Sequence, residues 1–538
     1  MTGTQPPVPD PVRAPAARGG QPRQRDPGTT TGWIAKIILL GLVDAVAVTG
    51  LVIAWENEAW GYVAVLAVTL VALNVVYLPR RYVPMKFLLP GLFFLAVFGV
   101  YPVLYTVYAS TTNYGTGFVL TEQQAIDQIQ SQSIRRTEGT VAYDATPMRD
   151  ADGNFAGYAL FDPDTEELLL GTTDGVTPIE EAPELQVLTS TGRTFVVGAG
   201  ELEGVRPGEL RSLPGFPADP SSFVMPGPTS ASEIRISGGQ AVESRATRVY
   251  DEATGTITDV DSGVEYRAVE GQFTSDDGAK LIPGFTTGVG FDNYVEILTG
   301  TEFRGDFPRV LLWTIVFSLA TVVLSFTLGL GLAMTFNDPR MRGRKIYRSL
   351  LIIPYALPGF MMALVFRGLM NRTFGFNRWV GLDIGWLETP ALAMTTLILV
   401  NVWLGYPYMF LVSTGALLGI PTDLREAAYV DGATGFTTFR KVTLPLLLTA
   451  VSPLLIASFA FNFNNFTIVY LFTGGGPRSS GDSAGATDLL ITWTYRIAIA
   501  DEPKRQGLAA ALSVLIFIIV GALSALGFKY TKSYEEIR

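Results

Sequence analysis

The sequence predicts an all-α polytopic membrane protein of about eight transmembrane helices, interrupted by a mainly β extracytoplasmic insert domain. Three observations carry that expectation. Of the 538 residues, 48% are hydrophobic and only 16% charged, too apolar a mixture for an ordinary soluble enzyme. Apolar runs recur at 33–54, 61–79, 86–108, 308–335, 346–369, 391–418, 449–472 and 507–529, and about 20 such residues span a bilayer core. Charge is also divided. Residues 111–300 hold 30 Asp and Glu against 11 Lys and Arg, a net of −19, so the remainder carries +9 within the total of −10.

Taken in order, residues 1–30 are rich in Pro, Gly, Arg and Gln and read as a disordered cytoplasmic tail. A signal peptide is not expected, because the next apolar run is too long and shows no clear cleavage site. Three transmembrane helices fill 31–109. The insert fills 110–305 and is long enough for its own core. Within it, Asn154–Phe161 and Glu167–Leu170 flank Asp162-Pro163-Asp164-Thr165, which predicts a hairpin; Thr194–Val197 and Arg248–Asp251 look similar. Five further helices fill 306–538, with a cytoplasmic loop at 420–446.

Cations set the orientation. Arg13, Arg18, Arg23 and Arg25 precede the first run. Arg80, Arg81 and Lys86 follow the second, and Arg340, Arg342, Arg344, Lys345 and Arg348 follow the fourth. Arg425, Arg440 and Lys441 follow the sixth, and Lys529 and Lys532 the last. With eight spans all five groups share one side. That side is the cytoplasm, so both termini are inside and the insert is outside.

Whole classes of chemistry drop out. The chain has no Cys and no His, which removes thiolate nucleophiles, imidazole bases, disulfides and His/Cys metal sites. No carboxylate cluster suggests a metal, so neither catalytic nor metal-binding residues are expected. The acidic insert disfavours nucleic acid as a partner.

Polar groups fall at membrane depth instead. Asn401-Val-Trp-Leu-Gly-Tyr-Pro-Tyr408 centres the sixth run, and Phe459-Ala-Phe-Asn-Phe-Asn-Asn-Phe466 centres the seventh. Asn462 and Asn465 share a helix face, with Phe461 close by and Asn464 pointing elsewhere. Amides serve sugar hydroxyls as donor and acceptor, and aromatic faces pack on a pyranose. Interhelical glue explains the same amides equally well. Asp44, central in the first run, is expected to find a local hydrogen bond or stay protonated. Beyond the breaker Thr473–Pro477, Thr487–Ile499 reads as an amphipathic helix at the outer interface anchored by Trp493 and Tyr495, or equally as a loop helix packed on the bundle.

The loop from Glu426 to Pro445 is the most specific segment. Ile420-Pro-Thr-Asp423 opens a short helix over Leu424–Val430, with Thr422 or Asp423 able to cap it. Gly432 and Gly435 can end it and turn the chain, and Leu444-Pro445 restarts a helix. Its pattern of Glu-Ala-Ala, Asp-Gly-Ala and Leu-Pro resembles the coupling loop of ABC importer permeases. Val400–Met409, Ile456–Phe466 and Tyr495-Arg-Ile497 extend the resemblance to the maltose/maltodextrin family.

That resemblance implies a type I ABC importer permease core. It implies four kinds of partner: a second related permease subunit, two ATPase subunits, an extracytoplasmic sugar-binding protein and the maltose or maltodextrin cargo. ATP and Mg would sit on the ATPases, since this chain has no phosphate-binding Gly-rich loop of its own. It also implies sugar contacts at Asn401, Leu404, Gly405, Tyr408, Phe461, Asn462 and Asn465. ATPase coupling is implied at Glu426, Ala427, Ala428, Asp431, Gly432 and Ala433. One departure is Gly359, where better-known members carry serine. Another oligosaccharide such as trehalose, or a non-transporting sugar receptor, are the alternatives.

Overall fold

The computed structural model describes residues 30–535 except 80–82, 138, 181–182, 189–191, 207, 218–222, 228–231, 338–340 and 480. The expected tail, apart from Thr30, and the cations Arg13, Arg18, Arg23, Arg25, Arg80, Arg81 and Arg340 lie outside the described residues.

Residues up to Pro102 form one compact unit. Its helices are α1 (Thr30–Glu56), α2 (Trp60–Tyr77) and α3 (Val83–Leu95). α1 and α2 are apolar nearly all round, so a polar contact between them has few competitors. Asn74 Nδ2 donates to Asp44 Oδ1 at 2.9 Å and to the Leu70 carbonyl at 3.0 Å. Asp44 thus has the local hydrogen bond expected of a carboxyl at that depth. α3 passes through a π turn at Ala96–Val100 into α4 (Tyr101–Ala109).

The second unit begins at Val103. Its insert opens with α5 (Glu122–Gln132), fixed at its start by a capping box between Thr121 and Gln124. That box satisfies two orphan N–H groups reciprocally. Strands Arg248–Asp251, Thr256–Asp259, Glu265–Val269 and Gln272–Ser275 form an antiparallel meander. Ile126 and Ile129 of α5 pack against Ile257 and Phe273 of that sheet. Eleven further strands, between Ile134 and Ala246, form a second sheet. The expected hairpin is there, Phe155–Phe161 pairing antiparallel with Leu168–Gly171. Asp162 makes its turn by accepting from the Asp164 amide at 2.8 Å and the Thr165 hydroxyl at 2.8 Å. Those bonds to the charged form hold its carboxyl below the usual range.

The helical core contains α6 (Asp292–Thr299), α7 (Asp306–Phe336), α8 (Arg344–Ala356), α9 (Gly359–Leu369), α10 (Phe376–Val380) and α11 (Pro390–Gly419). After α12 (Thr422–Val430) come α13 (Gly435–Thr438), α14 (Leu444–Phe463), α15 (Phe466–Phe472), α16 (Leu490–Tyr495) and α17 (Gln506–Glu535). Seven helices among the described residues are long and apolar enough to cross a membrane, or eight if α8 and α9 form one bent span. α7 and α11 approach closely at Gly329, where a Cβ would lie 2.6 Å from the Phe410 nitrogen. Small residues at such crossings let membrane helices pack backbone to backbone.

Three expectations need correction. The run at 346–369 is not one straight helix: α8 and α9 meet at 89°. Pro358 excludes Leu357 from the helical region, and Leu357 is extended at φ −88° and ψ 135°. The run at 449–472 is also broken, between α14 and α15, because Asn465 leaves the helix and its side chain caps the next one. Of the two readings of Thr487–Ile499, finally, the one packed on the bundle holds, and Trp493 is no interfacial anchor. It is fully buried, its ring 5.6 Å from that of Phe303, and Leu490 and Leu512 share the cluster.

The segment around Trp493 is pinned by a buried ion pair. Asp488 accepts from Arg496 Nη1 at 2.7 Å, from the Gly485 amide at 2.8 Å and from the Thr492 hydroxyl at 2.9 Å. Breaking such a pair from one side strands a charge in the interior. We expect Asp488→Ala to destabilise the core by about 3–5 kcal/mol, read as a lowered Tm in detergent. An unchanged Tm would mean that the pair bears no structural load.

Candidate functional site

α7, α8, the start of α9, α11, α14 and the start of α15 line an open cavity of about 610 Å³. All seven residues expected to contact sugar line it: Asn401, Leu404, Gly405 and Tyr408 from α11, and Phe461, Asn462 and Asn465 from the α14–α15 break. Asn464 does not line it. It is exposed and bonds back to the Ala460 carbonyl at 3.3 Å.

The amides form a chain of hydrogen bonds that runs through Asn401. Asn401 Nδ2 donates to Asn462 Oδ1 at 2.6 Å, and Asn465 Nδ2 donates to Asn401 Oδ1 at 3.1 Å. Asn462 Nδ2 donates to the Ser458 carbonyl at 2.8 Å, and Asn465 Oδ1 accepts from the Ile468 amide at 3.4 Å. The three residues therefore tie α11 to α14 and α15, and they also wall the cavity. Glue and lining are one arrangement, because each amide still has an N–H beyond the one bonded here.

The aromatic groups are less constrained. Phe461 is 73% exposed. Tyr408 stacks on Tyr355 with centroids 6.5 Å apart and planes at 22°. Sequence reasoning missed Tyr355, Ser458, Thr321 and Ser325, which also line the cavity. The last two carried a readable signal: Thr314, Ser318, Thr321 and Ser325 recur at helical spacing in an otherwise apolar run. Gly359 lines the same wall.

The second candidate site is the loop after α11. α12 begins at Thr422, after Pro421, and no side chain caps it, so neither Thr422 nor Asp423 acts as expected. Its end is a Schellman turn. Ala433 N bonds the Ala428 carbonyl at 2.9 Å and Gly432 N bonds the Tyr429 carbonyl at 3.0 Å. Gly432 carries φ +79°, so this glycine alone makes the turn. Gly435 starts α13, whose N-cap is the Thr434 side chain. The helix thus restarts at Gly435 rather than Leu444, and continues into α14 through a π turn at Phe439–Thr443. No residue of α12 is buried. Glu426, Ala427, Asp431 and Gly432 are exposed, and Ala428 and Ala433 half-buried. Leu424, Tyr429, Val430 and Phe436 stand exposed beside them, Val430 at 88%.

Comparison with known proteins settles the lineage. The sequence profile described as binding-protein-dependent transport system inner membrane component matches residues 301–530. One for the N-terminal part of the membrane subunit in such ABC transporters matches 93–174. The maltose/maltodextrin transport system permease protein MalF of Klebsiella aerogenes is 35% identical over 478 residues, 84% of this chain and 88% of that protein. MalF of Escherichia coli K12 is 33% identical over 85% of this chain and 88% of that protein, and MalF of Vibrio cholerae 34% over 84% and 86%. The chain belongs to the MalF family. It is thus a multi-pass inner-membrane permease subunit of an ABC transporter. Residues 301–530 contain both the cavity and the loop.

Within this MalF-family cavity, a Cβ on Gly359 would sit 3.5 Å from Ile468 Cδ1, an ordinary contact. Gly359→Ser should therefore assemble normally and shift the Tm by less than about 1 kcal/mol equivalent. A thermal scan of the purified complex checks this, and gross destabilisation would show the wall to be tighter than the geometry allows.

Proposed function

We propose that this chain is the permease subunit of an ATP-driven importer that moves maltose and maltodextrins from a binding protein across the cytoplasmic membrane. One observation carries the reading. The helices that wall the cavity, α11 and α14, are the two that lead into and out of the exposed α12 loop. From Asn401 to Ile420 is about 28 Å of helix at 1.5 Å per residue. A push on the loop therefore moves the amide-bearing walls as rigid rods.

Asn401, Leu404, Gly405, Tyr408, Phe461, Asn462 and Asn465 hold the sugar in this account, amides on its hydroxyls and rings on its apolar faces. Glu426, Ala427, Ala428, Asp431, Gly432 and Ala433 form the docking surface for an ATPase subunit. The exposed Leu424, Tyr429 and Val430 suit burial in a cleft of that partner. Two ATPase subunits bind ATP and Mg, and a second related permease completes the translocation path. Both termini and the α12 loop are cytoplasmic. The insert, 110–305 between helices at 31–109 and 306–538, faces outward and meets the sugar-binding protein. ATP-driven closure of the ATPases pulls the α12 loops together and opens the cavity outward; hydrolysis reverses the motion.

Two variants separate binding from coupling. Phe461 is exposed and holds no structural hydrogen bond, so Phe461→Ala should leave the complex assembled. Loss of ring stacking, about 0.5–1.5 kcal/mol, should raise the KM for maltose uptake roughly 2- to 13-fold. An unchanged KM would remove Phe461 from the site. Gly432→Leu forces a side chain into the left-handed region at about 1–2 kcal/mol. ATPase subunits should then co-purify poorly or hydrolyse ATP without uptake, and normal ATP-driven uptake would contradict the coupling role.

A further inference from the structure

The cavity has a wall that the reading above does not use. Thr321 and Ser325 lie one turn apart on α7, and both line the same cavity as the asparagines. Each is 2% exposed, and neither hydroxyl has a hydrogen-bond partner among the described residues. Their neighbours on the same helix face behave differently. Thr314 donates to the Val310 carbonyl at 2.7 Å and accepts from the Leu490 amide at 3.1 Å. Ser318 donates to the Thr314 carbonyl at 2.7 Å. The polar face of α7 is thus divided: two hydroxyls serve the fold and two, at cavity level, serve nothing in it.

A buried hydroxyl without a partner is unfavourable, and Val or Ala would pack these positions without that penalty. The asparagines differ, because Asn462 and Asn465 are each bonded to Asn401 and keep only their second N–H to offer. Among the described residues, the buried hydroxyls with no partner at all on this cavity are those on α7. Gly405 faces one of them directly, since a Cβ there would lie 3.0 Å from Ser325 Oγ. With no side chain at Gly405, the α11 backbone can lie close over that hydroxyl.

We propose that Thr321 and Ser325 are further sugar-contacting residues, which bind ring hydroxyls on the α7 side when α11 moves off them at Gly405. Each hydroxyl can both donate and accept, as a sugar hydroxyl requires. The assignment rests on the sugar-importer reading and adds a second polar wall to it.

The test uses the complete importer in proteoliposomes, with labelled maltose uptake followed as KM and kcat separately. Thr321→Val and Ser325→Ala remove the hydroxyls at nearly constant shape. Each should raise KM about fivefold, the worth of one hydrogen bond, with the double variant weaker still and Thr321→Ser close to wild type. Thermal stability should hold or rise, since an unpaired buried group is removed. Unchanged KM in variants that transport would overturn the assignment alone. A fall in stability that tracks lost uptake, not rescued by Thr321→Ser, would overturn it in favour of a packing role. No ATP-dependent uptake by the wild type would overturn the importer reading and this assignment with it.

Discussion

The break between α14 and α15 is the constraint on which the rest depends. A helix interrupted at membrane depth frees backbone groups that lipid cannot satisfy. Here the asparagines meet that demand. Asn465 caps α15 through the Ile468 amide, Asn462 bonds back into α14, and both are held by Asn401 of α11. The repair of the break therefore fixes where α11 stands relative to α14 and α15. It also gathers three amides on a cavity that Tyr355, Tyr408 and Phe461 line as well. A polar cavity wall follows from the same hydrogen bonds that make an irregular backbone tolerable.

That coupling of repair and site explains why two readings of the asparagines looked equal in the sequence. Spacing alone put Asn462 and Asn465 on one face, while Asn401 stood at the centre of another run. It could not tell whether the amides bonded each other or a ligand, because that depends on the distance between helices. The same limit hid Thr321 and Ser325. Their spacing was visible, yet nothing local distinguished them from Thr314 and Ser318, which bond their own helix and Leu490.

Elements whose cause is local were legible. The Asp162 turn, the helix over Leu424–Val430 and the stop at Gly432 all follow from residues within a few positions of one another. Elements decided by tertiary contact were not. Pro358 was in plain view, but a proline can kink a helix or end it, and its local effect on Leu357 does not by itself specify an 89° turn. Trp493 looked like an interfacial anchor because aromatic residues favour that zone. The pair of Asp488 with Arg496 draws its segment inward and buries the ring against Phe303 instead.

The account's central claim is that this cavity carries sugar in an ATP-driven machine. The most direct test is uptake of labelled maltose, maltotriose and trehalose by the reconstituted complex, with and without ATP. The account predicts ATP-dependent maltose uptake that maltotriose competes. ATP-dependent uptake of trehalose alone would keep the machine and contradict the cargo, placing the difference at the wall around Gly359. Uptake of none of the three, or uptake indifferent to ATP, would contradict the claim itself.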